Sequence, residues 1–423
     1  MMKKVLLVFL FLNYLSFTQA QGLNPINQSD LNEMDRFESS MLGFSGDLPA
    51  NYSLEKYVPP VLGQGDTPTC VGFAMGYYGI STIHNAYFDR SNEYEKLVHS
   101  FDPFYAYTIN RTNCDKGLNM LDAFRNFSIY GAKKMFFSPI DIDCDNPISD
   151  ESLENIQGYL SPYQLEKFEF IQVINPRFIE NVKTSIFNKL PVMIGTNITE
   201  SLYDVGLNQG NALWSPKGDE KSIGGHAMCV VGYDDDLNGG SFRIVNSWGT
   251  DWGDNGFFWL SYDDFYDTVD EAYVIKPYMI DFENQNSQVE FYEDYINLTT
   301  KDNLFNYEGV FDENGPNGYG IEINKSSENK HASIGKFVNG LRDGKHLLVN
   351  ESSIFGVTYE MGEIIESQDL GFASDQNQIE RQLMKFGRKL NVKSPSSREI
   401  DSIIKKGGVG KWKIRKSRTS INK

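Results

Sequence analysis

One cysteine, Cys70, lies in a stretch whose neighbouring residues can support thiol chemistry. The stretch reads GQGDTPTCVGFAMGYYG and covers residues 63–79. Gln64 precedes Cys70 by six positions, and the small and apolar residues that follow can start a helix. A helix N-terminus places partial positive charge beside the sulfur and favours the reactive thiolate. The Gln64 side chain and the backbone N–H of Cys70 can then stabilise the oxyanion that forms when a thiolate attacks a carbonyl.

A thiolate nucleophile also needs a base and a group that orients the base, and both residue types follow later. GGHAMCVVGYDD contains His226, and FRIVNSWGTDWGDNGFFWL contains Asn246. Histidine changes its charge near neutral pH, so His226 can take the thiol proton and later give it to a leaving amine. Asn246 can hold the imidazole in the required orientation. This order of cysteine, histidine and asparagine predicts catalysis through a covalent acyl intermediate.

The three segments together resemble the papain-like cysteine peptidases. In that family a glutamine also stands six residues before the cysteine, and the asparagine lies in an Asn-Ser-Trp-Gly motif, here residues 246–249. Three separated motifs in the right order are far more specific than any one of them alone. The resemblance covers about residues 48–280 and implies hydrolysis of peptide bonds in protein or peptide substrates, with no cofactor and no metal.

The resemblance also implies a role for each candidate residue. The set is the nucleophile Cys70, the general base and acid His226, the orienting residue Asn246 and the oxyanion donor Gln64. Trp248 is expected to shield the bond between histidine and asparagine from water. Two positions depart from the family: Thr67 stands where a second cysteine is often found, and Val71 stands where tryptophan is common. Neither change removes a catalytic group, although both concern the geometry of the cysteine loop.

The fold implied by the resemblance is α+β, a papain-like two-lobed fold with the site in the cleft between a helical lobe and a β-rich lobe. Residues 73–88 are expected to form the central helix, and the cost of Gly76 and Gly79 in a helix predicts close packing there. Residues 122–130 have helical apolar spacing. Strand-like sequences dominate from about residue 192 onward.

The sequence changes character after about residue 281. Residues 281–370 are rich in glycine and aromatic residues at a loose period in the twenties, which is typical of stacked β-hairpins. The recurring residues are Tyr307, Gly309, Phe311, Gly318, Gly320, Gly335, Phe337, Gly340, Gly344 and Gly356. This resembles MORN repeats with several expected positions missing, and an unrelated small β domain is the alternative. Residues 371–423 are expected to form a helix and a basic tail.

The N-terminus, MMKKVLLVFLFLNYLSFTQA, is typical of a secretory signal peptide cleaved near Ala20. Its apolar run is too short for a confident membrane span, and no other stretch of the sequence is long and apolar enough for one. We therefore expect a secreted or periplasmic protein. Residues 21–47 are expected to be a short linker or propeptide, since a full-size helical prosegment of the family would need far more residues.

Charge is distributed unevenly along the chain. The net charge is −18, but residues 371–423 contain 14 Lys and Arg against 4 Asp and Glu, so the preceding part carries about −28. An acidic body argues against nucleic acid as a partner, whereas the basic tail is expected to contact anionic surfaces.

Three cysteines remain beside Cys70. Cys114 and Cys144 lie in polar, loop-like segments and can pair in an oxidising compartment, but the sequence does not fix whether they do. Cys229 lies in an apolar, strand-like run and is then expected to be a buried free thiol.

Two further patterns are weak. The segment YDDDLNGG, which starts at Tyr233, matches the opening of an EF-hand calcium loop. The twelfth position of that loop should be a glutamate that binds calcium through both oxygens, but here it is Val245. A polar hairpin turn is therefore the better interpretation. The other histidines show no metal-ligand spacing and are expected to be ordinary residues; they are His84, His99, His331 and His346.

Two other functions are compatible with these residues. A papain-like fold could catalyse acyl transfer rather than hydrolysis, which product analysis with added amines would detect. The chain could instead be a binding or surface-attachment protein that acts through its C-terminal repeats.

Overall fold

The computed structural model describes most of the chain between residues 22 and 372. The described residues are 22–32, 34–37, 47–110, 112, 116–135, 165–205, 212–277, 295–299, 305–312, 314–325, 330–350 and 353–372. The signal peptide, Cys114, Cys144 and the basic tail predicted from the sequence lie outside the described residues. None of the helices in these ranges has the length and apolar character needed to cross a membrane.

Helices and strands alternate in a mixed pattern, so the expected α+β class is confirmed. The helices are α1 Gln28–Asn32, α2 Cys70–Gly72, α3 Ser81–Tyr87, α4 Glu93–Val98, α5 Tyr105–Ile109, α6 Met120–Tyr130, α7 Phe178–Phe187, α8 Ser201–Val205 and α9 Tyr262–Thr268. The strands up to residue 277 are β1 Asn51–Ser53, β2 Leu165–Phe170, β3 Val192–Thr199, β4 Leu213–Trp214, β5 Ser222–Asp234, β6 Ser241–Val245, β7 Phe257–Ser261 and β8 Val269–Pro277. The later strands are β9 Tyr295–Thr299, β10 Phe305–Asp312, β11 Gly315–Asn324, β12 His331–Val338, β13 Leu341–Val349, β14 Ser353–Glu360 and β15 Glu363–Phe372.

One long helix forms the centre of the helical lobe. It begins as α2 at Cys70, continues as a π-helix over Phe73–Ile80 and ends as α3. Every residue of the π-helical part is buried. A Cβ on Gly79 would lie 2.8 Å from Met193 Sδ in β3, so Gly79 allows the close approach to the β-rich lobe that its cost in a helix predicted.

The β-rich lobe is an eight-stranded sheet with the order β2-β8-β3-β5-β6-β7-β4, and β1 pairs with β5. Its strands are antiparallel except for the short pairing of β4 with β7. The neighbouring central strands β3 and β5 are largely buried, and the long helix packs across them. The sheet and the helix share one apolar core.

A second sheet contains seven strands in sequential order from β9 to β15, all antiparallel. Two of the recurring glycines leave room for rings on neighbouring strands. A Cβ on Gly320 would overlap the Tyr307 ring, and a Cβ on Gly335 would overlap the His346 ring. The β-rich character predicted for this region is therefore observed, while its assignment to a repeat family stays a prediction.

Candidate active site

Cys70 is the first residue of the long helix and is completely buried. Its neighbour across the cleft is β5, where the backbone of Ala227 lies against the thiol. Burial raises the pKa of the Cys70 thiol to about 11, and hydrogen bonds to the backbones of Ala227 and Gly22 only partly oppose this effect. In the conformation described, Cys70 is therefore a neutral thiol at pH 7.

His226 and Asn246 are in direct contact. His226 lies in the middle of β5 opposite Thr196 of β3, and Asn246 follows the last residue of β6. His226 Nε2 lies 2.8 Å from Asn246 Oδ1. Because an amide oxygen only accepts hydrogen bonds, Nε2 carries the proton and Nδ1 has the lone pair that a general base needs. Burial lowers the pKa of His226 to about 4, so the ring is neutral at pH 7.

The geometry around Asn246 holds its amide oxygen in place. Oδ1 also accepts a hydrogen bond from the backbone N–H of Ser247 at 2.8 Å. The Tyr78 hydroxyl, on the long helix, donates to the Asn246 carbonyl oxygen at 3.1 Å. The orientation of the His226 ring is therefore fixed from two elements of the fold, the turn after β6 and the helix that begins at Cys70.

Aromatic rings cover this hydrogen bond. The centre of the Trp248 ring lies 5.2 Å from the centre of the His226 ring. Trp248 stacks on Tyr203 and meets Trp252 edge to face, with ring centres 4.9 Å and 5.2 Å apart. The sequence suggested that Trp248 would exclude water here, and its position next to the imidazole is suited to that role.

Gln64 is buried beside the same residues. Its Oε1 accepts a hydrogen bond from Ser247 Oγ at 2.5 Å, and its Nε2 donates to the Thr67 carbonyl oxygen at 2.8 Å. The Gln64 backbone N–H also donates to the Ser247 carbonyl oxygen at 2.8 Å. The structure thus brings the loop before Cys70 against the segment that follows Asn246, and Thr67 helps to hold a loop that a disulfide often holds in the family.

An N-terminal segment, residues 22–26, crosses this site; we call it the strap. The Leu23 N–H donates to the Gly225 carbonyl oxygen at 3.1 Å. The Leu118 N–H donates to the Gly22 carbonyl oxygen at 2.8 Å, and the Asn24 N–H donates to the Leu118 carbonyl oxygen at 3.0 Å. These bonds make a parallel bridge between Leu23 and Leu118. The strap therefore lies as an extended peptide between the two lobes, with Gly22 against the Cys70 thiol.

The Leu23 side chain enters a pocket on the β-rich lobe. Two glycines give it room, since a Cβ on Gly195 would lie 2.7 Å from Leu23 Cδ2, and a Cβ on Gly225 would lie 2.6 Å from the Leu23 carbonyl oxygen. An adjoining cavity of about 330 Å³ is lined by the strap together with Thr196, Asn197, Asp270 and Glu271. Glu271 is only 3% exposed.

The Glu271 carboxyl is an unusual group for such a pocket. Burial raises its pKa to about 7, and the nearby Asp270 carboxylate acts in the same direction. The Tyr273 hydroxyl donates a hydrogen bond to Glu271 Oε2 at 2.5 Å and favours the ionised form. Glu271 faces the Leu23 side chain, so its protonation state contributes to the polarity of this pocket.

The strap continues into a longer ordered segment. Leu31 and Phe37 are buried, and the Phe37 N–H donates to the Phe170 carbonyl oxygen at 2.9 Å at the edge of β2. The sequence suggested only a polar linker or propeptide here. Reasoning from the sequence missed the strap because its partners, Leu118 and Gly225, lie in other parts of the chain and carry no local signal.

The remaining sequence patterns have simpler outcomes. The acidic segment after Asp234 is the hairpin turn between β5 and β6, in which the Asp236 N–H donates to Asp234 Oδ1 at 3.0 Å. Cys229 is a buried free thiol in β5, as its apolar surroundings predict. No cluster of histidine, cysteine or acidic residues suited to a metal ion occurs in the described ranges.

Comparison with protein families gives one match. Residues 150–275 match the papain family cysteine protease model. This range contains His226 and Asn246, whereas Cys70 and Gln64 lie before it.

Two curated proteins are similar to part of the chain. An uncharacterized peptidase C1-like protein of Acanthamoeba polyphaga mimivirus is 36% identical over 84 residues, which are 20% of this chain and 26% of that protein. A gut-specific cysteine proteinase of Caenorhabditis elegans is 27% identical over 104 residues, which are 24% of this chain and 30% of that protein. The chain thus spans less than a third of the length of these relatives.

Among solved structures, xylellain, a cysteine protease from Xylella fastidiosa, is 22% identical with a TM-score of 0.46, and the similarity covers 60% of this chain and 95% of that one. A procathepsin B from Trypanosoma congolense is 16% identical with a TM-score of 0.45, covering 61% of this chain and 87% of that one. The family match is the finding that identifies residues 150–275. Residues 150–275 are therefore assigned to a papain family cysteine protease domain.

Proposed function

We propose that this protein is an exported cysteine peptidase that hydrolyses peptide bonds through Cys70, His226 and Asn246. The observation that carries the proposal is the buried hydrogen bond of 2.8 Å between His226 Nε2 and Asn246 Oδ1, next to a cysteine that begins a long helix. The helix N-terminus favours a thiolate, and the asparagine selects the histidine tautomer that can accept the thiol proton.

In the proposed reaction, Cys70 transfers its proton to His226 Nδ1 as the sulfur bonds to the substrate carbonyl carbon. The carbonyl electron pair moves to oxygen, where the Cys70 backbone N–H and Gln64 Nε2 donate hydrogen bonds. The C–N bond then breaks, and the leaving nitrogen takes the proton from His226. Water, deprotonated by His226, attacks the thioester, and the sulfur leaves and recovers its proton.

We further propose that the strap keeps the enzyme latent. It occupies the backbone groups of Leu118 and Gly225 that an extended substrate peptide would need. It also buries Cys70 and His226, which leaves both groups neutral, and Nδ1 of His226 has no hydrogen-bond partner among the described residues. Activation then requires the strap to leave, so that water reaches the pair and the thiolate becomes accessible.

Labelling with a thiol-directed epoxide tests the proposed function. We expect modification at Cys70 once the strap is displaced, and we expect Cys70→Ala to lose both labelling and peptide hydrolysis. Cys229 is the matched control within the chain because it is equally buried and its partners on the two neighbouring strands are the apolar residues Met193 and Val245. The Cys229→Ala variant should therefore retain labelling and hydrolysis. Hydrolysis that survives in Cys70→Ala would show that the nucleophile is wrong.

A further inference from the structure

A buried charged cluster lies where the second sheet meets the helical lobe. Its centre is Glu308 of β10, whose side chain is only 2% exposed. The carboxylate contacts Lys134 Nζ at 2.5 Å, His99 Nδ1 at 2.8 Å, Arg90 Nη2 at 3.1 Å and His84 Nε2 at 3.6 Å. All four basic partners belong to the helical lobe, so this carboxylate joins two parts of the chain that are far apart in sequence.

The charges in this cluster make Glu308 difficult to replace. Burial is the largest single influence and would raise the pKa of Glu308, but Lys134, His99 and His84 together outweigh it and hold the pKa well below its usual range. Burial lowers the pKa of His84 to about 3 and that of His99 well below its usual range, so both rings are neutral. The carboxylate therefore stabilises the buried Arg90 cation, and it opposes the burial that lowers the pKa of Lys134 to about 7.

Apolar contacts surround the same interface. Leu97 and Val98 of α4 belong to one buried cluster with seven residues of the sheet. The sheet residues are Ile321, Ile323, Ala332, Ile334, Leu347, Val349 and Ile354. At the edge of the interface, Lys325 Nζ lies 3.4 Å from Glu95 Oε1. The second sheet is thus packed on the helical lobe over an apolar area with Glu308 fixed beside it.

A short buried segment leads from this cluster to the nucleophile. It starts at His99, which contacts Glu308, and reaches Pro103 four residues later. The Pro103 carbonyl oxygen lies so close to Gly72 that any Cβ there would overlap it. Gly72 is two residues from Cys70, so the backbone of this segment forms the wall against which the first turn of the helix packs.

The segment is tied to the helix at a second point. The Phe101 N–H donates to Ser81 Oγ at 3.0 Å, and Ser81 is the first residue of α3. His84, which also contacts Glu308, lies one turn further along α3. Glu308 therefore reaches the nucleophile helix by two routes, through His84 on the helix and through the segment that begins at His99.

We infer that Glu308 is a positioning residue that docks the second sheet on the helical lobe and thereby sets the orientation of Cys70. The inference rests on the proposed peptidase function, because it concerns the geometry of that nucleophile. It gives the C-terminal sheet an indirect role in catalysis, through the position of the nucleophile, in place of a role as a separate accessory module. A purely structural Glu308 would change stability but leave the turnover of folded molecules unchanged.

The test compares Glu308→Gln with Glu322→Gln in the full-length chain, and every protein, wild type included, carries Gly22→Ala to displace the strap, because a Cβ at Gly22 would overlap the Pro68 carbonyl group. Glu322 lies on the adjacent strand β11, is also buried, and pairs with Arg342 of the same sheet at 2.6 Å. The Glu322→Gln variant therefore shows the effect of losing a buried carboxylate that pairs within the sheet. For both variants, kcat and KM are measured on a peptide substrate, and the rate of Cys70 alkylation by iodoacetamide is measured as a function of pH. All measurements are made at a temperature where circular dichroism shows that the protein is folded.

We expect Glu308→Gln to lower kcat at least about tenfold and to change KM by no more than about twofold. The reason is that a small displacement of a nucleophile lowers the rate of the chemical step by about that factor or more. Its alkylation profile should shift along the pH axis, because the thiol leaves the position set by the helix terminus. Glu322→Gln should match wild type in both. If Glu308→Gln does not fold, Glu308→Asp keeps the charge and shortens the reach by one methylene, and we expect it to show the same loss of kcat in smaller degree.

Two outcomes would overturn the inference. One is a folded Glu308→Gln or Glu308→Asp protein with wild-type kcat and alkylation profile. The other is an equal loss of kcat in Glu322→Gln, which would indicate a general effect of the sheet. A strap-displaced chain with Glu308 intact that does not hydrolyse peptides, but whose Cys70 alkylation still depends on Glu308, would refute the proposed function and leave the positioning role supported.

Discussion

The packing of the strap predicts the effect of a substitution at Gly22, because there is no room for a side chain at this position. A Cβ at this position would overlap the carbonyl group of Pro68, which is backbone and cannot move aside easily. Gly22→Ala should therefore displace the strap at the point where it contacts Cys70. We expect this variant to be labelled by a thiol-directed epoxide much faster than the wild-type chain.

The magnitude follows from the hydrogen bonds that the displacement breaks. The two nearest bonds run from the Leu118 N–H to the Gly22 carbonyl oxygen and from the Leu23 N–H to the Gly225 carbonyl oxygen. Each contributes about 1 kcal/mol net, so their loss favours the open state by about 2 kcal/mol. Since 1.4 kcal/mol is a factor of ten, the open population and the labelling rate should rise about 30-fold.

The assay is the pseudo-first-order rate of epoxide labelling at pH 7, with the modified residue identified by mass spectrometry. Gly218→Ala is the matched control, because a Cβ on Gly218 would contact nothing within 4 Å. Equal rates in wild type and Gly22→Ala would refute the view that the strap limits access to Cys70. An equal acceleration in Gly218→Ala would attribute the effect to a general loosening of the fold.

Two other predictions concern single side chains of the site. Asn246→Ala removes the acceptor that orients His226, so we expect kcat to fall about 100-fold with little change in KM; an unchanged kcat in steady-state assays would contradict this role. Glu271 has a pKa of about 7 against an ordinary value of 4.5. As the pH rises, the unfolded chain therefore loses the Glu271 proton at a lower pH than the folded chain does. The free energy of unfolding should then fall by up to about 3 kcal/mol as pH rises from 4.5 through 7. Urea unfolding at pH 4.5 and 7.5 should show this slope in wild type and a smaller slope in Glu271→Gln; equal slopes would exclude Glu271 as its source.

The sequence predicted the candidate catalytic residues because each one lies in a local pattern of its own. Cys70 follows a glycine-rich turn, and Asn246 precedes Ser-Trp-Gly, so neither depended on knowing the rest of the fold. The structure brings Asn246 against His226 and places Cys70 beside β5. The helical cost of glycine predicted close packing at both Gly76 and Gly79. The structure shows it at Gly79, which packs on β3, but a Cβ on Gly76 would make only ordinary contacts, with Asp102 and Phe127 at 3.4 Å and 3.5 Å.

Long-range partners were not predictable in the same way. His84 and His99 carry no ligand spacing, and their shared partner Glu308 lies more than 200 residues further along the chain. The same reason applies to the strap, whose hydrogen bonds depend on backbone groups and leave no side-chain pattern. The Glu308 cluster and the strap both depend on which distant segments pair with each other and in what register. A single sequence contains little information on either.

The contact between Lys134 and Glu308 has a consequence for how the protein is made. A ribosome completes the helical lobe well before residue 308 emerges, so Arg90 and Lys134 are synthesised before the Glu308 carboxylate that contacts both of them. Burying a cation such as Arg90 before its carboxylate partner is present is unfavourable, so we expect the lobe to complete its packing only after the later strands arrive. If Glu308 positions the nucleophile as inferred, we expect a chain that ends before β10 to be inactive.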